Sequence, residues 1–178
     1  SEVLNTKVVI GRINMGLLNR IIIDDVLLDD QSGQEMLKVT RLSAKFDIMP
    51  FFKGKISISS VQLFGFNINL RKETPDSPPN FKFVLDAFAS KDTVKKENSL
   101  DLRINSILIR RGRMSYHVLS EEETPGKFNA KHIQLQNIIA NISLKALSKD
   151  SLNLGIKRLS LDEKASGFSL KKMSLKLV

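Results

Sequence analysis

The chain has no cysteine and no tryptophan, and only one tyrosine and two histidines. Without cysteine there are no disulfides, no thiolate metal sites and no cysteine nucleophile. Single-stranded nucleic-acid binders interleave exposed aromatics with basic residues; with Tyr116 the only tyrosine and no tryptophan, nucleic acid is not an expected partner. No apolar run approaches the ~20 residues of a membrane-spanning helix, and no signal peptide is present. The first residue is Ser1 and the last strand-like segment runs straight into Val178. The chain therefore reads as a piece of a longer protein, with a targeting or membrane segment expected upstream and a further strand downstream. Acidic residues are also in short supply, 19 against 28 basic ones, for a net charge of +9. That balance suits an anionic partner such as a phospholipid surface, or describes no more than a solvated basic exterior.

What the chain has in abundance is alternation. The pattern apolar-x-apolar-x-x-apolar-x-apolar recurs seven times: Ile21/Ile23/Val26/Leu28, Leu37/Val39/Leu42/Ala44, Ile56/Ile58/Val61/Leu63, Leu102/Ile104/Ile107/Ile109, Phe128/Ala130/Ile133/Leu135, Leu154/Ile156/Leu159/Leu161 and Phe168/Leu170/Met173/Leu175. The two central positions are polar each time, as in Asp24-Asp25, Ser59-Ser60, Asn105-Ser106, Lys131-His132 and Lys157-Arg158. Period-two spacing marks a strand with one apolar face. One extra residue would turn the second half over, and a bulge restores the face while bending the strand. The expected fold is mainly β: a curved, largely antiparallel, repetitive sheet with bulged strands and an apolar concave side. Ile58 and Val61 are expected on the same face, with the bulge at Ser59-Ser60.

The first repeat region spans residues 1–72. It holds a short segment Val8–Ile13, a long strand Leu17–Leu28, a turn at Asp29–Gly33 and a return strand Glu35–Phe46. Residues 48–53 read as a helical turn, and a strand bent near Gly65 follows. Residues 73–99 hold a proline-rich loop, a helix and a charged linker; Asn80 offers an N-cap. Phe81, Val84, Leu85 and Phe88 follow at i, i+3, i+4, i+7, on one face of a short helix over about 81–90. That face is either core packing or a plug across one end of a groove. Residues 100–178 form a second repeat region with breaks at Gly112, at the acidic turn Glu121–Gly126, near 148–150 and near 164–167.

One short helix cannot cover so broad an apolar face. Either the sheet closes on itself as a sandwich or barrel, or it stays an open half-pipe holding something apolar. No chemistry competes with this shape. His117 and His132 have no second ligand at zinc spacing and no serine motif beside them. Asp24, Asp25, Asp29 and Asp30 fall in a strand gap and a turn rather than a calcium loop. Arg110-Arg111-Gly112-Arg113 reads as a solvated turn at a strand end or as a contact for phosphate headgroups. No metal, no cofactor and no catalytic residue is expected.

The segment Leu42–Lys72, with Pro50, Phe51, Phe52, Gly54, Lys55, Ile56, Ile58, Val61, Leu63 and Gly65, resembles a recurring unit of the AsmA-like envelope proteins. The opening KVVIGRINMGLLNRIIIDDVLLDDQSG and the stretch NFKFVLDAFASKDT are similar to the N-terminal periplasmic region of TamB-type members, particularly the Bacteroidetes branch. The likeness is good over Lys7–Thr93 and pattern-level from Leu100 onward. It implies a periplasmic β-groove tethered to the inner membrane by an N-terminal helix. Such a groove takes part in outer-membrane assembly and carries phospholipid between the membranes. The outer-membrane partner would bind through regions absent here.

The groove lining expected on this reading is Ile23, Val26, Leu28, Val39, Leu42, Phe46, Ile58, Val61, Leu63, Ile104, Ile107, Ile109, Ile133, Leu135, Ile156, Leu159, Leu170 and Met173. The partner is phospholipid or another amphipathic envelope component. A second reading is a protein-interaction module that receives a partner strand at an exposed edge. A third is an independent closed sandwich with an adhesive role. A free edge at Phe168–Val178 would also favour self-association.

Overall fold

Among the described residues there are nine strands and one helix. A computed structural model of the protein describes residues 6–47, 56–89, 100–101, 105–148 and 151–177. The elements are β1 (Val8–Gly16), β2 (Arg20–Asp29), β3 (Glu35–Phe46), β4 (Ile56–Lys72), α1 (Lys82–Ala89), β5 (Leu100–Asp101), β6 (Ser106–Val118), β7 (His132–Ser148), β8 (Ser151–Glu163) and β9 (Ser169–Leu177). They make one sheet in the order β1-β2-β3-β4-β6-β7-β8-β9, with β5 beside the start of β4. Every pair is antiparallel except β4 with β5 and β6. Parallel neighbours need a long crossover, and the segment holding the prolines and α1 supplies it. Among the described residues the sheet does not close: β1 pairs only with β2, and β9 only with β8. The open curved sheet is thus the arrangement found, not the sandwich or barrel.

Several boundaries differ from the sequence reading. Leu17 does not open a strand; Leu17–Asn19 is the turn between β1 and β2, with Leu18 and Asn19 both at φ 58°. Gly112 is no break, since β6 runs through it. Arg110–Arg113 therefore lies in mid-strand, not in a turn at a strand end. Phe128 and Ala130 precede β7 in a loop, and Phe128 is exposed. The helical turn at 48–53, the linker 91–99, Leu102 and Ile104 lie outside the described residues.

The bulges are real, but they do not all sit where the seven-fold pattern puts them. At Ser59-Ser60 the β3–β4 register slips: Ser60 pairs Lys45 whereas Ile58 pairs Phe46. Ile58 and Val61 therefore share a face. The same happens at Lys157-Arg158, where Ile156 and Leu159 stay on one side. Elsewhere a left-handed residue performs the turnover. Asp25, Gly65, Arg111 and Asn137 have φ of 58°, 64°, 54° and 54°. Asp25, Gly65 and Asn137 stand between apolar residues three apart, Ile23/Val26, Leu63/Phe66 and Leu135/Ile138, and Arg111 stands between Ile109 and the inward slot of Gly112. A residue at positive φ interrupts the pleat, so both apolar neighbours point the same way.

The buried centre is Val39, Phe66 and Ile138, with Val26, Leu42, Leu63 and Ile109 among the residues packed on it. Val39 is 3% and Phe66 6% exposed, although among the described residues the strands approach one another through the backbone only as ladder neighbours. A single layer buries its face this deeply only by curling towards it, so the apolar side is the concave one.

One end of the sheet is tied by polar groups. Asp30 accepts bonds from Ser32 (2.6 Å), Arg71 (2.6 Å) and Asn80 (3.2 Å). Asn80 also accepts from the Arg71 N–H at 3.0 Å, so the start of α1 is fastened to the end of β4. Burial pushes the Asp30 carboxyl up, and the donors of Ser32, Gln34 and Asn80 outweigh it and hold it below its ordinary value. Glu163 does the same for the β8–β9 turn. It accepts from the N–H groups of Gln134, Ala165 and Ser166 and from the Ser166 hydroxyl. Its burial acts upward, but the donors prevail and bring it down to about 2.

A carboxylate depressed on folding stabilises the fold above its unfolded pKa, and that contribution fades as pH falls towards the folded value. Glu163→Ala should cost about 2 kcal/mol at pH 7, because it leaves buried donors unpaired. The gap from wild type should narrow between pH 4.5 and pH 2. Urea melts at pH 7 and pH 3 measure this, and a pH-independent gap would refute the assignment.

Candidate functional site

Register converts the pattern into four apolar rows, because residues paired across a ladder lie on the same face. The first row is Ile13, Ile23, Leu42, Leu63, Ile109, Ala140, Leu159 and Met173. It crosses the sheet from β1 to β9 without a polar side chain. A second, nearer the β1–β2 turn, is Met15, Ile21, Ala44, Val61, Ile107, Ile142, Ile156 and Leu175. Towards the tied end, a third row holds Ile10, Val26, Val39 and Phe66, continued by Ile138 opposite Gly112. The fourth holds Val8, Leu28, Leu37, Ile68, Met114 and Leu135.

Most residues expected in the lining fall in these rows. Phe46 and Ile58 pair beyond the second row, Ile133 pairs Tyr116, and Leu170 pairs Leu161. Ile104 lies outside the described residues, as do the side chains of Leu85 and Phe88. Phe81 and Val84 are half-buried at the tied end.

Exposure along the rows is uneven. It is least in the middle and rises at β1, where Ile10 is 49%, Ile13 62% and Met15 77% exposed. The adjoining turn carries Leu17 and Leu18, the former 89% exposed. On β9, Leu175 is also exposed. The apolar face thus continues into solvent along the β1 flank, where no further strand follows among the described residues.

The opposite face is polar and basic. Arg41 clasps Asp24 at 2.7 Å, and this bond lowers the Asp24 carboxyl while it raises the guanidinium. Arg12, Asp24, Arg41, Phe64 and Arg110 stand in one row. The Arg111 guanidinium lies 5.2 Å from the centroid of Phe64. The arginine cluster is therefore a mid-sheet feature of the convex side, directed away from the rows.

The chain matches no family model, no curated protein and no solved structure at a significant level. The AsmA-like resemblance therefore rests on its sequence motif alone.

Several members of the concave face escaped the sequence reading, among them Phe66, Ile138, Ile13 and Met15. Phe66 and Ile138 follow left-handed Gly65 and Asn137 in a second register of the same pattern, Leu63-x-x-Phe66 and Leu135-x-x-Ile138. Ile13 and Met15 share a face with Ile10 across Gly11, the same three-residue spacing, hidden by Gly11 and Gly16. The arrangement can hold extended apolar chains by contact.

Proposed function

We propose that the chain is a non-enzymatic segment of a lipid-handling β-groove, in which acyl chains lie along the apolar rows and headgroups stay at the open side. The observation that carries this reading is the solvent-exposed continuation of those rows at Ile10, Ile13 and Met15. Soluble proteins seldom leave a contiguous apolar patch of this kind without a use for it. Covering it with acyl chain removes apolar area from water at about 25 cal/mol per Å². Sequence-unspecific apolar contact also suits sliding along the groove. On this reading, and in keeping with the AsmA-like resemblance, the chain works in the periplasm as part of a protein tethered to the inner membrane. There it conducts phospholipid between the membranes or assists outer-membrane assembly.

Lipid mass spectrometry on the protein purified from an envelope-containing host tests the reading. Phospholipid in near-stoichiometric amount is the expected result, and its absence both there and after incubation with phospholipid vesicles would overturn it. A second reading has its own observation. Among the described residues, β1 and β9 each leave one edge unpaired, which suits addition of a partner strand. Protein capture without lipid would favour it.

A further inference from the structure

The ladder that builds the groove also brings together residues with no place in it. His117 ends β6 and His132 begins β7, and the two are direct partners across the strands. They lie on the outer face, opposite to Tyr116 and Ile133. Their Nδ1 atoms are 3.0 Å apart. The Glu123 carboxylate, from the connecting loop, lies 3.6 Å from His117 Nδ1 and 3.9 Å from His132 Nδ1 through the same oxygen, Oε1. We infer that His117, His132 and Glu123 form a binding site for a divalent transition-metal ion of the zinc type.

The ring of His132 is already set for this role. Its Nε2 lies 2.9 Å from the Glu121 carbonyl oxygen. A carbonyl only accepts, so Nε2 carries the proton and the Nδ1 lone pair faces the cluster. This is the support that metal-bound histidines receive from a backbone carbonyl. His132 is also buried, which fixes the ring plane. Without an ion, a proton on His117 Nδ1 occupies the short gap between the rings. When the ion takes that place, the His117 proton moves to Nε2.

Distances and ligand type agree with the ion. The point equidistant from the three donor atoms lies about 2.1 Å from each, which is the length of a zinc–nitrogen or zinc–oxygen bond. Two imidazoles and a carboxylate suit zinc, cobalt or nickel better than the hard cations calcium and magnesium, which prefer oxygen alone. Three protein ligands leave a fourth position for water. Glu123 is exposed at 63% of its side chain, so the ion would draw the loop onto the β6–β7 pair. The site would clasp the tied end of the sheet, and it stands whether or not the groove carries lipid.

The test is titration of the untagged protein with Zn²⁺ and Co²⁺ after chelator treatment, read by calorimetry and by the visible absorption of bound Co²⁺. One ion per chain is expected, with a melting temperature raised by Zn²⁺. His117→Ala and Glu123→Gln should each weaken binding about tenfold or more and abolish the thermal shift. Glu123 is exposed, so its variant keeps the test valid if His117→Ala fails to fold. Wild type that leaves millimolar Zn²⁺ unbound, or variants that bind as tightly as wild type, would overturn the site.

Discussion

Gly112→Ala should destabilise the middle of the sheet by about 2 kcal/mol, although it adds one methyl group. Gly112 occupies an inward slot of the third row, with Ile138 opposite. The edge of the Phe66 ring lies over it. A methyl there would fall within the van der Waals radii of Phe66 Cε1 and Cζ and 3.0 Å from Ile138 Cβ. The glycine is present because the ring fills the space its side chain would take. The converse change, Phe66→Ala, empties that space and should cost about 4 kcal/mol. Phe66→Leu in the Gly112→Ala background should recover part of the loss, with a coupling of about 1 kcal/mol or more between the two sites. Urea denaturation of the single and double variants measures this. Additive losses would mean that the ring and the glycine do not share the space.

The second large effect concerns lipid. Ile13→Asp with Met15→Asp should lower captured phospholipid about tenfold or more, since an unpaired carboxylate against acyl chains loses its hydration. Both residues are exposed, so the fold should change by no more than about 0.5 kcal/mol. This separates binding from folding more cleanly than Val61→Asp or Ile107→Asp in the second row, whose side chains are half-buried and whose charge threatens the sheet itself. Ser60→Asp, on the outer face, is the matched control and should keep its lipid. Equal loss in Ser60→Asp, with all variants folded, would count against the groove.

Strand content, curvature and the identity of the inward residues were largely legible, because alternation reports the face directly. The position of each turnover was less so. The pattern overlaps itself. In β4 it fits Ile56–Leu63 and again Val61–Ile68, and the ladder shows both in use, one by a bulge at Ser59-Ser60 and one by Gly65 at positive φ. In β6 the inward slot is Gly112, which has no apolar side chain to reveal it, so Arg110-Arg111 looked like the end of a strand. In β7 the reading began too early, at Phe128, because nothing local marks the loop before His132. The histidine pair was not legible. Fifteen positions of sequence separate His117 from His132, and only the β6–β7 register makes them neighbours. The spacing rules for metal sites describe ligands on one helix or one turn, and cross-strand partners obey neither.

The parallel seam between β4 and β6 has a kinetic consequence. On either side of it, β1–β4 and β6–β9 are meanders in which every strand pairs with its neighbour in sequence. Such local pairings form early in folding, whereas the seam waits for the chain to double back through the crossover. Until it closes, each half carries a bare edge shaped for the other half, and another molecule offers the same edge. Refolding at high concentration should therefore exchange halves between molecules and trap swapped dimers, while dilute refolding should yield monomer. Size-exclusion chromatography after refolding over a range of concentrations would show the difference, and a dimer fraction independent of concentration would argue that the seam closes first.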